Sequence, residues 1–306
     1  MEELLAHRKA ALVFYSPFNF IREISEETQL EVVRAARITD KPFFSRPGSD
    51  GECRFYFDRL AWDSDYFNLA TYKLQVVLYT TTSLNYLTQA CQAFVAHLAE
   101  IGSQYCFLEI PAEDIFLIQA LGITGFKLVE TRLTYFQKLD NYHYPERFPV
   151  REATEADAES LREVARTMTN YFDRFHADPV FSRQSADEFL ATYVDQSMRG
   201  FTDVVLVPDY AGEEPGAFLT ANYFRDQWPA LGVPVSKMVL SAVSSQARKG
   251  WYKKLISEMS YYLRDHGAAY AYMNTQATNR AVFHTWESLG YKLGGTTHIL
   301  SHSVTR

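Results

Sequence analysis

This sequence predicts an α/β protein of the α+β kind, built as two related halves, and three observations lead there. From Phe148 to the C-terminus, apolar periods of two and of three to four residues alternate in the order β-α-α-β-β-β-α-β-α-β. The segment Asn141–Pro149 is polar, holds two prolines and has no hydrophobic period, so it reads as a linker between residues 1–140 and 148–306. The end of the second half also echoes the first. Gly102 and Gly267 lie 165 residues apart, as do Tyr105 and Tyr270, and Phe126 and Tyr291.

In the second half, FPVREATEADAESLREVARTM reads as a strand followed by a helix. Thr154 with Asp157 fits a capping box, and Ala158, Leu161 and Val164 have helical spacing. SADEFLATYVDQSM reads as a second helix, with Phe189, Tyr193 and Met198 near one face. Three strands follow, 203–207, 216–224 and 237–243, separated by turns at Pro208, Gly212, Pro215, Pro229 and Gly232. After Gly250 a long amphipathic helix carries Leu255, Met259 and Leu263. The strand AAYAYMNT, the helix NRAVFHTWESLG and the strand YKLGGTTHILSHS complete the chain. In the first half, LAEIGSQYCFLEI and LGITGFKL repeat the helix, strand, helix and strand of this ending.

Composition narrows the function. The chain has 306 residues, 47% of them apolar, enough for a core in each half. Acidic side chains outnumber basic ones, 37 to 30, and no basic patch stands out, which argues against a nucleic-acid partner. The three cysteines, Cys53, Cys91 and Cys106, match no metal-site spacing and read as buried thiols, so no metal is expected. No apolar run is long enough to insert in a membrane, and MEELLAHRKAALVFY lacks the marks of a signal peptide. The expected location is the cytoplasm.

The strongest chemical signal is KMVLSAVSSQARKGWYKKLI, a strand running into a helix through a loop with Gly250 at the helix start. Free backbone N–H groups at such a terminus attract an anion, and Arg248 and Lys249 add positive charge. A pyrophosphate fits that place, between Gln246 and Tyr252.

In element order and in this loop, the second half resembles the GNAT superfamily of N-acetyltransferases. That resemblance implies a mixed, mostly antiparallel sheet flanked by helices, with acetyl-CoA (coenzyme A) as the acyl donor. The superfamily's loop pattern, [QR]-x-x-G-x-[GA], falls on Ala247, Gly250 and Tyr252, of which Gly250 alone matches. Further on, Thr275 to Ala281 and Trp286 to Tyr291 resemble the superfamily's ending. A closer resemblance is to the TDP-fucosamine acetyltransferases. It rests on Phe172–Pro179 (FDRFHADP), on LAWDSDYF from Leu60, on GFKLVE from Gly125, and on a degenerate half-GNAT-like domain preceding a complete one.

The resemblance implies a site. The pantetheine arm pairs with backbone at Ser241, Ala242 and Val243, and Asn279 contacts the same arm. Gln246, Arg248, Lys249, Gly250, Trp251 and Tyr252 hold the pyrophosphate. The acceptor is a small-molecule amine, an amino sugar nucleotide in the closer family, with His176 and Asp173 at the amine and Arg174 and Phe175 on the nucleotide side. Another small or protein amine, or CoA binding without catalysis, are the alternatives. The usual tyrosine acid position holds Trp286, whose indole does not ionise usefully, so water, Tyr252, Tyr272 or His284 must serve. The family also suggests a homodimer.

Overall fold

The computed structural model describes residues 1–167, 172–210, 214–247 and 250–303. Gly212, Arg248 and Lys249 therefore lie outside the described residues. The chain divides into two compact units. The first is Met1–Arg132 with Gly295–Arg306, and the second is Leu133–Gly294.

The first unit opens with α1 (Glu2–Leu12) and α2 (Glu26–Arg37), the latter capped by the Ser25 hydroxyl, which accepts from the Thr28 N–H at 3.1 Å. There follow β1 (Phe43–Gly48), β2 (Gly51–Arg59), α3 (Ala61–Phe67), β3 (Thr71–Tyr79), α4 (Leu84–Glu100), β4 (Tyr105–Pro111), α5 (Ile115–Ile123) and β5 (Lys127–Lys138). The chain goes on with β6 (Val150–Glu152), α6 (Ala158–Arg166), α7 (Arg174–Ala177), α8 (Arg183–Gln196), β7 (Val204–Pro208), β8 (Ala217–Asn222), α9 (Trp228–Leu231), β9 (Val235–Val243), α10 (Trp251–Asp265), β10 (Tyr270–Gln276) and α11 (Arg280–Ser288) in the second unit, and ends with β11 (Lys292–Ser303), which returns to the first unit from Gly295 on. The predicted order for the second half is present, with α7 and α9 as added single turns. The first unit has three strands more than the repeat foresaw.

The repeat is real in structure. β4, α5 and β5 map onto β10, α11 and β11 at the same spacing of 165 residues, end to end. The glycines that turn the chain into those strands, Gly102 and Gly267, and Gly125 and Gly290, all have positive φ.

In the first unit the strand order is β1-β2-β3-β4-β11-β5. β11 enters it antiparallel to β4, with Thr297–Ser303 opposite Pro111–Tyr105. In the second unit the order is β5-β10-β9-β8-β7-β6. Both twelve-residue strands, β5 and β11, thus run from one unit into the other. This is why the compact units divide within these strands, whereas the sequence set its break at Asn141–Pro149. That segment is packed rather than free. Tyr142 is buried, its hydroxyl bonds Ser257 at 3.1 Å, and Glu258 takes the Phe148 N–H at 2.7 Å.

Strands β7 to β9 are apolar on both faces, as alternation demands of a doubly covered sheet. Leu206, Leu219 and Met238 pack with Leu255, Met259 and Trp251 of α10. Val205, Val207, Phe218 and Ala242 pack with Leu161, Val164 and Val194 of α6 and α8. The capping box forms as predicted, with the Asp157 carboxylate accepting from the Thr154 N–H at 2.7 Å. Cys53, Cys91 and Cys106 are buried free thiols, and burial pushes Cys53 and Cys106 up to about 12. No helix among the described residues is long and apolar enough to cross a membrane.

Candidate active site

In the second unit β9 and β10 run parallel, but they pair over three residues only: Val235 with Tyr270, Ser236 with Ala271, and Lys237 with Tyr272. β9 then continues to Val243 and β10 to Gln276 without partnering each other. A cavity of about 350 Å³ opens where they part. On β9, the Ser244 N–H bonds the Gly216 carbonyl and the Leu240 N–H bonds the Thr220 hydroxyl, so beyond the register shift that follows Met238 the even-numbered residues face β8. Backbone groups alternate along a strand, so those of Ser241 and Val243 face the opening. An unpaired strand edge of this kind pairs readily with amides of an extended ligand.

The cavity brings together Ser241, Ala242, Val243, Tyr252, Asn279, Trp286 and Asp173, all expected from sequence. It also has walls that sequence reasoning missed: Leu190, Val239, Leu240, Val282 and the β10 end, Asn274–Gln276. Missing Asn274 to Gln276 has a plain cause. Their strand was legible, but nothing local says that it diverges from its parallel neighbour.

β9 ends at Val243, and α10 starts after Gly250. Gly250 caps this helix with φ 88°, in the left-handed region that favours glycine. The first N–H groups of α10 have no partner one turn earlier within the helix, as at any helix start. Gln246 and Ala247 give their N–H groups to Ser244, to its hydroxyl at 3.2 Å and its carbonyl at 3.0 Å. Gln246 lines a neighbouring cavity of about 570 Å³, beside Glu163 and Glu214. Trp251 is buried and its indole N–H bonds Tyr210, which makes it a packing residue. Tyr252, one residue on, points its hydroxyl at Trp286, whose indole N–H donates to it at 2.7 Å. Burial drives the Tyr252 phenol pKa well above its usual range, although the hydrogen bond from Trp286 acts the other way.

On the α7 side, Asp173 caps that turn, accepting from the N–H groups of Phe175 and His176 at 2.9 Å each. The His176 ring bridges two carboxylates, through Nδ1 to Asp173 at 2.8 Å and Nε2 to Asp187 at 3.0 Å. Burial pushes its pKa down, and the two carboxylates more than reverse this, leaving it above the ordinary value. An imidazolium so engaged has no lone pair to offer a substrate proton. His176 therefore braces Asp173, and Asp173 is the member of the pair that lines the cavity. Phe175 packs against Phe189 and Phe181, with ring centroids 4.3 and 5.3 Å away. Arg174 lies over the Phe175 ring at 4.4 Å. Neither is among the cavity's walls. Of the other acid candidates, His284 is an exposed partner of Glu287, and Tyr272 is buried outside the cavity lining.

The first unit has the same divergence. β3 and β4 pair over Thr71–Lys73 and Tyr105–Phe107 only. There the space is crossed by the chain's own α1. Buried Arg8 bonds the Tyr79 hydroxyl at the end of β3 at 2.8 Å and forms an ion pair with Asp114, just past β4. Tyr15 also donates to Asp114, at 2.6 Å. Asp114 is the repeat counterpart of Asn279. The connection from β3 to α4 is short, and the Ser83 hydroxyl, not a glycine, caps the helix.

No family model matches the sequence, and no curated protein is significantly similar to it. Solved structures are similar in fold. One is a GCN5-related N-acetyltransferase from Sphaerobacter thermophilus (TM-score 0.57, 13% identity, 99% of this chain and 94% of that one). Another, from Kribbella flavida, is also a GCN5-related N-acetyltransferase (TM-score 0.52, 14% identity, 91% and 94%). A third is a tandem GNAT protein from the clavulanic acid biosynthesis pathway, solved without AcCoA (TM-score 0.51, 10% identity, 100% and 96%).

Proposed function

We propose that this GNAT-fold chain is an acetyl-CoA-dependent N-acetyltransferase, acting in the second copy, 148–306, while the first copy, 1–140, binds no acyl donor. The observation that carries the proposal is the open edge of β9. Ser241 and Val243 present backbone groups to a cavity that ends beside the Gly250-capped start of α10. An acyl-CoA substrate fits this cradle. Its pantetheine amides pair with Ser241 and Val243, Asn279 contacts the same arm, and its pyrophosphate meets the α10 terminus, with Arg248 and Lys249 nearby in sequence.

The acceptor amine attacks the thioester carbon as a neutral group. Asp173, at the other side of the cavity, attracts the ammonium form and takes its proton, held in place by His176. A backbone N–H of β9 stabilises the oxyanion. The acceptor class we assign is an amino sugar nucleotide. Its support is the FDRFHADP and LAWDSDYF segments and the two-half build, with Arg174 as the cation for a nucleotide phosphate.

Calorimetry with acetyl-CoA should give one site per chain. Thiol release should then be seen with dTDP-linked amino-dideoxyhexoses in preference to simple amines and peptides. Binding without turnover on any amine would leave a CoA-binding module. Turnover on a peptide or simple amine alone would remove the sugar-nucleotide acceptor.

A further inference from the structure

Cleavage of a thioester leaves a thiolate that must gain a proton, and the cavity contains few groups able to give one. Asp173 is committed to the acceptor amine, on the α7 side of the cavity and bonded to the Phe175 and His176 N–H groups and the His176 ring. The hydroxyls of Ser241 and Thr275 are far too weakly acidic. Trp286, although its indole N–H points into the site, has nothing to ionise. Among the described residues that line the cavity, that leaves one phenol. We infer that Tyr252 is the acid that protonates the departing thiolate, and that Trp286 is the residue that positions it. This rests on the acyl-CoA reading of the same cavity.

The geometry supports the assignment in four ways. An indole N–H only donates, so its 2.7 Å contact makes the Tyr252 oxygen the acceptor and leaves the phenol's own proton to go elsewhere. That donor on the phenolic oxygen stabilises the phenolate that forms as the proton departs. Tyr252 also sits in the first turn of the fifteen-residue α10, where the helix dipole favours negative charge. Finally, Trp286 cannot swing away, because it is 3% exposed and lies edge-on to Tyr135 at 5.5 Å and 65°.

The step balances within the site. The amine nitrogen bonds to the acyl carbon, the carbon–sulfur bond breaks, and its electron pair leaves on sulfur. The Tyr252 proton moves to sulfur, giving the free thiol. The proton that the new amide nitrogen sheds then returns the phenolate to phenol, directly or through water, so no outside acid is consumed.

A test needs no acceptor. Free CoA is bound to the wild-type chain and to Tyr252→Phe, and the thiol of the bound CoA is titrated by the ultraviolet absorbance of its thiolate. A hydroxyl that donates to sulfur stabilises the thiolate, so its loss should raise the bound thiol's pKa by about one to two units. Trp286→Phe keeps the phenol but frees its position, and should give a smaller rise in the same direction. A Tyr252→Phe variant that binds CoA with an unshifted thiol overturns the assignment. So does one that is folded but has lost CoA binding, since the hydroxyl then serves affinity. Failure of the wild-type chain to bind CoA at all would instead overturn the acyl-CoA reading, and this inference with it.

Discussion

The charge buried in the first unit offers a sharp quantitative test. Arg8 is 6% exposed and Asp114 is 3% exposed, and they meet where β3 and β4 part. Arg8→Met keeps most of the side-chain volume and removes the charge. Among the described residues, the Asp114 carboxylate then retains the Tyr15 and Tyr79 hydroxyls, at 2.6 and 3.5 Å, against a buried negative charge. Breaking a buried pair from one side costs about 3–5 kcal/mol, most of it the stranded partner. Neutralising that partner as well, in Arg8→Met with Asp114→Asn, should return all but about 1–2 kcal/mol, because a neutral amide still accepts from Tyr15. Urea unfolding of the three variants, with coincident fluorescence and circular-dichroism transitions, measures the cycle. Hydrogen exchange in the single variant should rise first in α1. A single-variant loss below about 1 kcal/mol, or a double variant no better than the single one, would refute the claim that this pair holds α1 across the divergence.

Two further outcomes follow from local geometry. At Gly250 an added Cβ would meet only the Lys254 side chain, at 4.0 Å, but a β-branched residue at φ 88° is strained by about 1–2 kcal/mol. Gly250→Val should therefore fold and bind acetyl-CoA more weakly in calorimetry, and unchanged affinity in the folded variant would move the pyrophosphate elsewhere. Asp157 is held down to about 2, first by Arg151 and then by the Thr154 N–H, against burial that pushes it up. Its folded pKa lies below its unfolded value near 3.9, so its contribution is present above about pH 4 and is lost as pH falls towards 2. Asp157→Asn should lose about 2 kcal/mol at pH 7 and flatten that acid limb, and an unchanged acid-unfolding curve would contradict the linkage.

The sequence by itself determined what is local and periodic. Helical and strand spacing set the order of elements from β6 to β11, the Thr154 and Asp157 pair marked where the first of these helices starts, and Gly250 marked the turn into α10. The repeat of 165 residues was legible because Gly102, Gly267, Gly125 and Gly290 all serve a backbone conformation that other residues adopt at a penalty. Tertiary structure decided the rest. Nothing in AAYAYMNT tells that β10 leaves β9 after three pairs. Tyr252 and Trp286 are 34 residues apart, and Arg8 and Asp114 are 106 apart. His176 finds Asp187 on the next helix as well as Asp173 on its own turn. β11 pairs with β4, far back in the chain, and from Gly295 on it belongs to the first compact unit. Periodicity reports which face of an element is apolar, but the partner that covers it is chosen only when distant segments pack together.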